Sequence, residues 1–483
     1  MRLALRCILI IPSAPLLPDN SLCFTSRIGL LDPERFSRSL ITARSDMKKV
    51  FITTLGCKVN QFESAAYFSG FAAYGITSTR DIEEANFIVI NTCAVTAKAS
   101  SQSKQEIRKA LRSNQRAQVI VTGCHAELAS KELLKEHTIS AQRLQVIGNV
   151  DKNILVSQVL DLAQSSVDKT VLRQISDSPP TSLRVDHFPN RTRAFLKVQD
   201  GCDSFCSYCI VPYTRGRSRS MPLEELIKQA QTLERNGHQE IVVTGIHVGM
   251  YGKDLLPRRD IADLLETLCQ ATPQIRYRLS SIEPTEISWK LLTLMRDLGN
   301  FMPHFHIPLQ SGDNEILKNM NRHYSREEFK ETIEKCRSIV PEAAIGLDVL
   351  VGFPGESKQH FMNTQDLIQR VDCTYLHVFP YSRRPGTKAA EFSDEVAKQT
   401  KKQRVEILRS ISSEKSLDFY ARFLHTKRDA LIEHQPDRSG MLKGFTDNYI
   451  PVRLNCTPLG NQRIITVELQ QATNQYVEAI NVT

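Results

Sequence analysis

The stretch FLKVQDGCDSFCSYCIVPYTRGRSRS, residues 195–220, decides the fold of the central part of this chain. It opens with an apolar run, Phe195–Val198, that is typical of a buried strand. The loop that follows carries three cysteines at spacings of four and three residues: Cys202, Cys206 and Cys209. Where strands and helices alternate, the loops after the strands form the functional end of the sheet. We therefore predict a functional site at these cysteines.

Three thiolates in one short loop suit a compact iron–sulfur cluster, because closely spaced cysteines ligate such clusters. Three ligands leave one iron of a 4Fe–4S cluster open to a small molecule. A structural zinc ion would instead need a fourth ligand to close its tetrahedron. His187 and His238 are candidates for that fourth ligand. The pattern favours a cluster, with zinc as the alternative.

Strand and helix patterns alternate around this loop from about Phe195 to Ser382. The predicted strands are Phe195–Val198, Glu240–Gly245, Arg276–Ser280, His304–Pro308, Ile345–Val351 and Tyr375–Phe379. Six strand–helix units are too few for a complete eight-unit barrel, so they indicate an open or partial one. Ser325 and Glu328 have the spacing of a capping box at the start of one of the intervening helices.

A second alternating region precedes the first, and it also carries three cysteines. Cys57, Cys93 and Cys124 each follow a predicted strand: Val50–Leu55, Phe87–Asn91 and Val119–Thr122. The carboxyl ends of parallel strands meet at one edge of a sheet, so the three thiols are predicted to converge there as ligands. Three separate buried cysteines are the alternative, since a single cysteine is often simply buried.

These patterns predict an α/β protein with three domains. An N-terminal parallel-sheet domain spans residues 47–164, and a partial (β/α)6 barrel spans residues 191–415. Residues 165–190 have the Ser- and Pro-rich composition of a linker, and the short strand patterns of residues 416–483 indicate a small all-β domain. Residues 1–46 differ from the rest of the chain, and we expect them to be an extension of the gene model before Met47, or disordered.

Composition excludes several other classes. The 483 residues are 41% hydrophobic and 24% charged, which is ordinary for a globular protein and excludes a fibre or a long disordered polymer. A chain of this length folds without disulfides, so its 12 cysteines point to metal or catalytic roles. The net charge of +9 permits a nucleic-acid partner. Thiolate ligands that need reducing conditions, and the lack of a convincing signal or membrane segment, predict a cytoplasmic location with no membrane partner.

The CxxxCxxC spacing is that of the radical S-adenosylmethionine superfamily, and the chain from about Lys48 onward resembles its methylthiotransferase family. The matching stretches are TTLGCKVNQFES (53–64), NTCAVT (91–96), TGCHAE (122–127), residues 195–220, PLQSGDNEILKNMNRHYSREEF (308–329) and VGFPGES (351–357). GCKVNQFES is similar to the subgroup that acts on N6-threonylcarbamoyladenosine at position 37 of tRNA. The isopentenyladenosine subgroup usually has a GCQMN-like sequence here, and the ribosomal-protein subgroup a GCPKN-like one.

The resemblance implies an enzyme that adds a methylthio group to carbon 2 of that nucleoside. It implies two 4Fe–4S clusters, one held by Cys202, Cys206 and Cys209 and an auxiliary one held by Cys57, Cys93 and Cys124. S-adenosylmethionine would serve as both methyl donor and radical source. The implied partners are the anticodon loop of tRNA and a small redox protein that donates electrons.

Seven residues match family positions around the S-adenosylmethionine cavity: Gly245, His247, Ser281, Glu283, Gln310, Ser311 and Arg322. Packing or turn formation is the alternative for each of them. After the triplet, Arg215, Arg217 and Arg219 either bind a carboxylate or phosphate or form a solvated basic edge. Four further cysteines are predicted to be ordinary core or near-surface thiols: Cys269, Cys336, Cys373 and Cys456.

The C-terminal region is predicted to contact RNA. GFTDNYIPVRL (444–454) resembles a strand pair of the RNA-binding barrel of the TRAM type. The basic residues before and within it are Lys398, Lys401, Lys402, Arg404, Arg409, Lys415, Arg422, Lys427 and Arg428. Such a surface would bind phosphates in a salt-sensitive way, whereas a solvated helix face is the alternative.

Two other functions remain open at this point. One is methylthiolation of a ribosomal-protein aspartate, which the CKVN after Gly56 disfavours, or of another adenosine derivative at position 37. The other is a non-catalytic iron–sulfur sensor that binds RNA. The lack of a fourth ligand in both cysteine triplets argues against the sensor, because closed structural sites normally have a full set of protein ligands.

Overall fold

A computed structural model describes residues 47–136, 143–162, 170–171, 183–188, 191–455, 460 and 463–482. The predictions for residues 1–46, for most of the 165–190 linker and for Cys456 lie outside the described residues. Among the helices that are described, none combines the length and the apolar character needed to cross a membrane.

The N-terminal domain contains six parallel strands in the order β2-β1-β3-β4-β5-β6. The strands are β1 (Lys49–Thr54), β2 (Thr77–Ser78), β3 (Phe87–Thr92), β4 (Gln118–Gly123), β5 (Leu144–Ile147) and β6 (Thr170–Val171). The helices are α1 (Lys58–Ala73), α2 (Ala97–Ser113), α3 (Cys124–Glu136) and α4 (Leu155–Leu162). Every residue of β3 is buried, which explains its continuous apolar run, because helices cover both faces of a parallel sheet.

The central domain contains six further parallel strands in two three-stranded sheets, β11-β10-β7 and β12-β13-β14. An isolated bridge pairs Tyr277 of the first sheet with Phe301, which lies three residues before the first strand of the second sheet. The strands are β7 (Arg193–Lys197), β10 (Glu240–Thr244), β11 (Arg276–Leu279), β12 (His304–Gln310), β13 (Ala344–Val351) and β14 (Tyr375–Pro380), and a short antiparallel pair is formed by β8 (Gln199–Asp200) and β9 (Arg219–Ser220). This arrangement confirms the predicted partial barrel of six units.

Seven helices accompany these strands: α5 (Val211–Arg215), α6 (Leu223–Arg235), α7 (Ile261–Ala271), α8 (Trp289–Asp297), α9 (Asn314–Asn319), α10 (Arg326–Ile339) and α11 (Lys358–Arg370). The predicted capping box is present at the start of α10, where Ser325 and Glu328 bond each other's backbone N–H groups. The helices pack on the outer face of the strands, so alternate strand residues belong to the hydrophobic core. Residues of opposite parity, such as His306 on β12 and Asp348 on β13, face the interior of the half-barrel.

A long helix, α12 (Lys398–Ala421), leads to a closed barrel in the order β15-β16-β17-β19-β18. Its strands are β15 (Lys427–Ile432), β16 (Leu442–Thr446), β17 (Pro451–Leu454), β18 (Ile464–Ala472) and β19 (Val477–Asn481). The barrel confirms the all-β prediction, but the boundary expected at residue 415 falls inside α12. Phe419 and Tyr420 at the end of this helix belong to the core of the barrel.

Candidate active site

The first cysteine triplet lies at the carboxyl ends of β1, β3 and β4, which are neighbours in the N-terminal sheet. Cys57 is the residue before α1, Cys93 follows β3, and Cys124 is the first residue of α3. The chain passes so closely here that a Cβ on Gly56 would lie 2.7 Å from the Cys93 Sγ. The topology therefore brings three cysteines from distant parts of the sequence to one edge of one sheet.

The thiols of this triplet influence one another electrostatically. Burial raises the pKa of Cys93 to about 11, and the neighbouring Cys124 and Cys57 thiolates add to the rise. The amino termini of α1 and α3 place positive partial charge at the same edge. A bound metal would relieve the repulsion between thiolates, because a coordinated thiol is deprotonated. The site is thus suited to a metal centre whose ligands are thiolates.

Asn60 organises this edge and was not singled out from the sequence. Its side-chain amide donates to the carbonyls of Leu55 at 2.7 Å and Thr92 at 3.0 Å. Its side-chain oxygen accepts from Arg215 Nη2 at 2.6 Å. Asn60 therefore connects the loops after β1 and β3 to the central domain. Its position in the first turn of α1, in the KVNQ sequence after Cys57, was the available signal.

The second triplet lies in the loop between β8 and α5, at the carboxyl end of the half-barrel. His247 Nδ1 lies 3.6 Å from Cys202 Sγ, and Arg322 Nη1 donates to Cys206 Sγ at 3.3 Å. Burial opposes a charge on His247, but hydrogen bonds to Cys202 and Glu286 raise its pKa to about 10. The same histidine overcomes the effect of burial on Cys202 and lowers the pKa of that thiol. Two cations therefore hydrogen-bond to sulfurs of this triplet.

Neither triplet has the geometry of a single zinc site. Thiolates around one zinc ion lie about 3.8 Å apart, given a Zn–S distance of about 2.3 Å in a tetrahedron. Among the described residues, only His306, Asp348 and His377 form a group of three potential metal ligands whose donor atoms all lie within 4.8 Å of one another. The three sulfurs of each triplet therefore do not all lie within 4.8 Å of one another, and a polynuclear cluster accommodates such a spacing better than a single zinc ion does.

The histidines considered as a fourth zinc ligand are also elsewhere. His238 lies before the amino end of β10, at the opposite end of the barrel from Cys202, and accepts a hydrogen bond from the Phe188 N–H at 3.2 Å. The His187 ring stacks on His238 at 4.9 Å. The zinc alternative for the second triplet therefore loses both of its candidate ligands.

A cavity of about 240 Å³ opens beside the second triplet. Cys206, His247, Glu283 and Arg322 all contribute to its lining. Arg322 forms an ion pair with Glu283, and its guanidinium lies 5.1 Å from the centre of the Tyr324 ring. A carboxylate, a guanidinium and a protonated histidine around so small a space suit a ligand with both an amino and a carboxylate group.

Four of the residues predicted for this cavity are not part of its lining: Gly245, Ser281, Gln310 and Ser311. Gly245 lies so close to Gln199 that a Cβ would approach its Oε1 to 2.9 Å. Gln310 has a φ of 59° at an irregularity in β12. Ser311 is buried, and its hydroxyl lies 3.3 Å from that of Thr364. Ser281 is exposed in the loop after β11.

Gln199 is a further residue that the sequence did not reveal. Its Oε1 accepts from the backbone N–H groups of Ile246 at 3.1 Å and His247 at 2.8 Å. Its Nε2 donates to the Gly201 carbonyl at 2.7 Å and the Ser218 hydroxyl at 2.9 Å. One buried amide thus fixes both the cysteine loop and the loop that carries His247. A polar residue in the strand just before Cys202 was the only hint in the sequence.

A buried charged network joins the domains that carry the two triplets. Arg215 Nη1 lies 3.0 Å from carboxylate oxygens of both Glu63 and Asp200. Lys197 Nζ lies 3.1 Å from Asp200, and Lys152 forms an ion pair with Glu63. Burial favours the neutral acid, yet these cations hold the pKa of Glu63 down at about 2. Arg215 is therefore an internal cross-link, and its interpretation as a solvated basic edge is wrong.

The other two arginines after the triplet have lesser roles. Arg217 is exposed and lies 3.3 Å from Asp203. Arg219 Nη2 donates to the carbonyl of Arg215 at 2.7 Å. Arg219 therefore supports the turn that positions Arg215.

The basic surface predicted on α12 is smaller than expected. Lys401 and Arg404 are buried, and Arg404 donates to the carbonyls of Glu356 and Ser357, both at 3.1 Å. Lys415 donates to the Val371 carbonyl at 2.8 Å. Further arginines of this region form ion pairs, Arg422 with Asp372 and Arg428 with Asp447. The exposed cations of the predicted set are Lys398, Lys402, Arg409, Lys427 and the ion-paired Arg422.

Comparison with known proteins supports both cysteine domains. Residues 196–368 match the model of the Radical SAM superfamily, and residues 49–143 match a model described as uncharacterized protein family UPF0004. A threonylcarbamoyladenosine tRNA methylthiotransferase of Bacillus subtilis is 36% identical over 442 residues, which cover 89% of this chain and 96% of that protein. A protein of the same description from Rickettsia prowazekii is 36% identical over 405 residues, covering 84% and 91%.

One further relative and one solved structure extend the comparison. A tRNA-2-methylthio-N(6)-dimethylallyladenosine synthase of Caldicellulosiruptor saccharolyticus is 32% identical over 435 residues, covering 89% of this chain and 92% of that protein. Among solved structures, the radical S-adenosylmethionine methyltransferase TsrM of Kitasatospora setae has a TM-score of 0.52 at 13% identity, covering 71% of this chain and 77% of that one. That likeness concerns the fold alone.

The fold and the second triplet together define a radical S-adenosylmethionine enzyme, a class that uses a 4Fe–4S cluster and S-adenosylmethionine. Within this class, the chain belongs to the methylthiotransferase family. The family predicted from the motifs is thereby confirmed.

Proposed function

We propose that this enzyme adds a methylthio group to carbon 2 of N6-threonylcarbamoyladenosine at position 37 of tRNA. The observation that carries the proposal is the presence of two separate cysteine triplets in domains joined by the Glu63–Arg215 network. The names of the Bacillus subtilis and Rickettsia prowazekii relatives favour this nucleoside over the dimethylallyl derivative.

Each triplet is proposed to hold one 4Fe–4S cluster. Cys202, Cys206 and Cys209 would bind the radical-generating cluster, and Cys57, Cys93 and Cys124 the auxiliary one. When bound, the clusters and S-adenosylmethionine supply the radical and methyl-transfer chemistry. A small redox protein is proposed to deliver the electrons.

The chain's own residues prepare the radical site. His247 and Arg322 donate hydrogen bonds to the sulfurs of Cys202 and Cys206, and such bonds tune the reduction potential of a cluster. Glu283 and Arg322 line the adjoining cavity, where they would bind the amino and carboxylate groups of S-adenosylmethionine. Gln199 holds the loop of His247 in place.

The buried charged network is proposed to fix the separation between the two cluster sites. A base that must reach both clusters needs them at a fixed separation, and Arg215 ties α1 of the N-terminal domain to the loop of the second triplet. The base is proposed to be splayed out of the anticodon loop, since single-stranded loops permit this at modest cost. The C-terminal barrel and the exposed cations of α12 are proposed to contact the RNA phosphates.

The test is a nucleoside analysis. The anaerobically reconstituted enzyme is incubated with S-adenosylmethionine, a reductant and total tRNA, and the digested nucleosides are separated and identified by mass. We expect 2-methylthio-N6-threonylcarbamoyladenosine as the product. A product built on dimethylallyladenosine, or methylthiolated ribosomal protein from a parallel reaction, would replace this proposal with another substrate.

A further inference from the structure

A second cavity, of about 610 Å³, lies where three domains meet. Lys58 of α1 contributes to it, as do Arg193 and His304 near the amino ends of β7 and β12, and Tyr449 of the C-terminal barrel. It shares no lining residue with the smaller cavity beside Cys206. Lys58 directly follows Cys57 in the chain, so one wall of the cavity is joined covalently to the loop of the first cysteine triplet.

Positive charge is in excess around this cavity. Its lining carries four cations, Lys58, Arg191, Arg193 and Arg278, against one carboxylate, Glu433. The buried Glu240 behind the lining forms an ion pair with Arg278 at 3.1 Å. Two carboxylates for four cations leave a surplus that favours an anion.

Two of these cations, Lys58 and Arg193, have N–H donors that no closely bound carboxylate occupies. The carboxylate oxygens nearest to Arg193 lie at 3.6 Å on Glu240 and 3.8 Å on Glu433, beyond hydrogen-bonding distance. Burial and the neighbouring Arg193 and Arg278 lower the pKa of Lys58. Asp348, the carboxylate that opposes this effect, is shared by His306 at 2.9 Å and His377 at 3.6 Å. Lys58 and Arg193 can therefore donate to a ligand without losing a close partner.

His304 provides an independent sign of a ligand. Only 4% of this residue is exposed, and its Nε2 lies 2.8 Å from the hydroxyl of Tyr375. Its Nδ1 is buried without a hydrogen-bond partner among the described residues. Buried polar atoms are normally satisfied, so an unpaired one in a cavity wall points to a group that binds there. With Nε2 accepting from Tyr375, Nδ1 would carry the proton and donate.

Aromatic rings hold this arrangement in place. The His304 ring packs on Tyr449 with 4.1 Å between centroids, and the Arg278 guanidinium lies 4.8 Å from the centre of the Tyr449 ring. The Arg193 guanidinium lies 4.5 Å from the centre of the Phe445 ring. Cation–π contacts of this kind fix the guanidinium planes before a ligand arrives, which reduces the entropy lost on binding.

We propose that Lys58, Arg193 and His304 bind the carboxylate of the threonylcarbamoyl group on the substrate adenosine. The inference rests on the proposed function, because it takes the base to lie beside the first triplet, next to Lys58. A threonylcarbamoyl group ends in a carboxylate, whereas a dimethylallyl group is apolar. A cavity with surplus cations selects the first and rejects the second, since the apolar group would leave those cations unpaired.

The test compares two anticodon stem-loop RNAs that differ in one group. One carries N6-threonylcarbamoyladenosine, and the other carries the same nucleoside with its carboxylate converted to a neutral methylamide. Binding to the reconstituted enzyme is measured by fluorescence anisotropy, independently of turnover. We expect the carboxylate RNA to bind about 10- to 100-fold more tightly, the range for hydrogen bonds to a charged group.

Variants assign this preference to the cavity. Lys58→Met and Arg193→Gln are each expected to reduce the ratio of the two affinities at least several-fold, whereas Lys58→Arg keeps most of it. Lys402→Met, which removes an exposed lysine of α12, should weaken both RNAs equally and leave the ratio unchanged. Iron content and thermal melting of each variant establish that it is folded and loaded.

The outcomes separate the two proposals. Equal affinity of the wild-type enzyme for both RNAs, or an unchanged ratio in Lys58→Met and Arg193→Gln, overturns the assignment of the cavity even if the methylthio product forms. A preserved ratio that depends on Lys58 supports the cavity, and if no methylthio product forms, the proposed reaction alone is refuted.

Discussion

The two cysteine triplets offer the same donor set but are assembled in different ways. Cys202, Cys206 and Cys209 lie in one loop, where local bonds such as Cys209 N–H to the Cys206 carbonyl at 2.9 Å fix the backbone. Cys57, Cys93 and Cys124 meet only because β1, β3 and β4 pair side by side. A local motif is recognised from spacing alone, whereas a non-local one is recognised only once the topology is known.

The surroundings of the triplets differ as well. Charged side chains, His247 and Arg322, hydrogen-bond to sulfurs of the second triplet. At the first triplet, helix amino termini and the close approach of Gly56 shape the site. We propose separate duties for the two triplets, namely radical generation at the second and methylthio transfer at the first.

The largest expected effect comes from Cys206→Ala. Removing one of three ligands in the loop should abolish both cleavage of S-adenosylmethionine and formation of the methylthio nucleoside, to background level. Both are measured by mass spectrometry of 5′-deoxyadenosine and of digested tRNA. Cys336→Ala is the matched control, since this cysteine is buried in the core away from both triplets. Cleavage that survives in Cys206→Ala would contradict the assignment of the radical cluster.

Cys93→Ala is expected to separate the two duties. The product should disappear while part of the S-adenosylmethionine cleavage remains, because the second triplet is intact. The same two assays measure the outcome. Equal loss of cleavage in Cys93→Ala and Cys206→Ala would show that the triplets do not act separately.

Arg215→Met tests how the two sites are held together. It leaves Glu63 and Asp200 as buried carboxylates short of a partner, which costs about 3–5 kcal/mol of folding free energy. Arg217→Met is the control, because this exposed arginine forms a surface pair worth about 0–1 kcal/mol. Denaturant unfolding under anaerobic conditions compares them, and similar losses in both would argue against the cross-link.

The smallest effect concerns the cavity beside the second triplet. Arg322→Gln removes a charged partner of Glu283 and of the Cys206 sulfur, so the affinity for S-adenosylmethionine should fall about 10-fold. Isothermal titration of the reconstituted protein measures it. Ser281→Ala, the control, changes an exposed residue outside that lining. A comparable loss of affinity for S-adenosylmethionine in this control would contradict the assignment of the binding site to the cavity.

Much of this architecture was predictable because strand and helix periodicity is a local property. The six central strands and the cysteine positions at strand ends follow from it. The roles of Asn60 and Gln199 were not predictable, since each depends on a partner distant in sequence. For Arg215, carboxylate binding was one of two alternatives, but its partner Glu63 could not be named. Lys401 and Arg404 were expected on an RNA surface, but a run of basic residues does not reveal which side of a helix packs against the core. The cation-lined cavity could not be predicted either, because its lining residues are distant from one another in the sequence.

The central claim is that both triplets bind clusters, and the most direct measurement is the iron and sulfide content of the anaerobically reconstituted chain. Two four-iron clusters predict about eight of each per wild-type chain and about four in Cys93→Ala. About four of each in the wild type, unchanged by Cys93→Ala, or zinc in place of iron, would contradict the account.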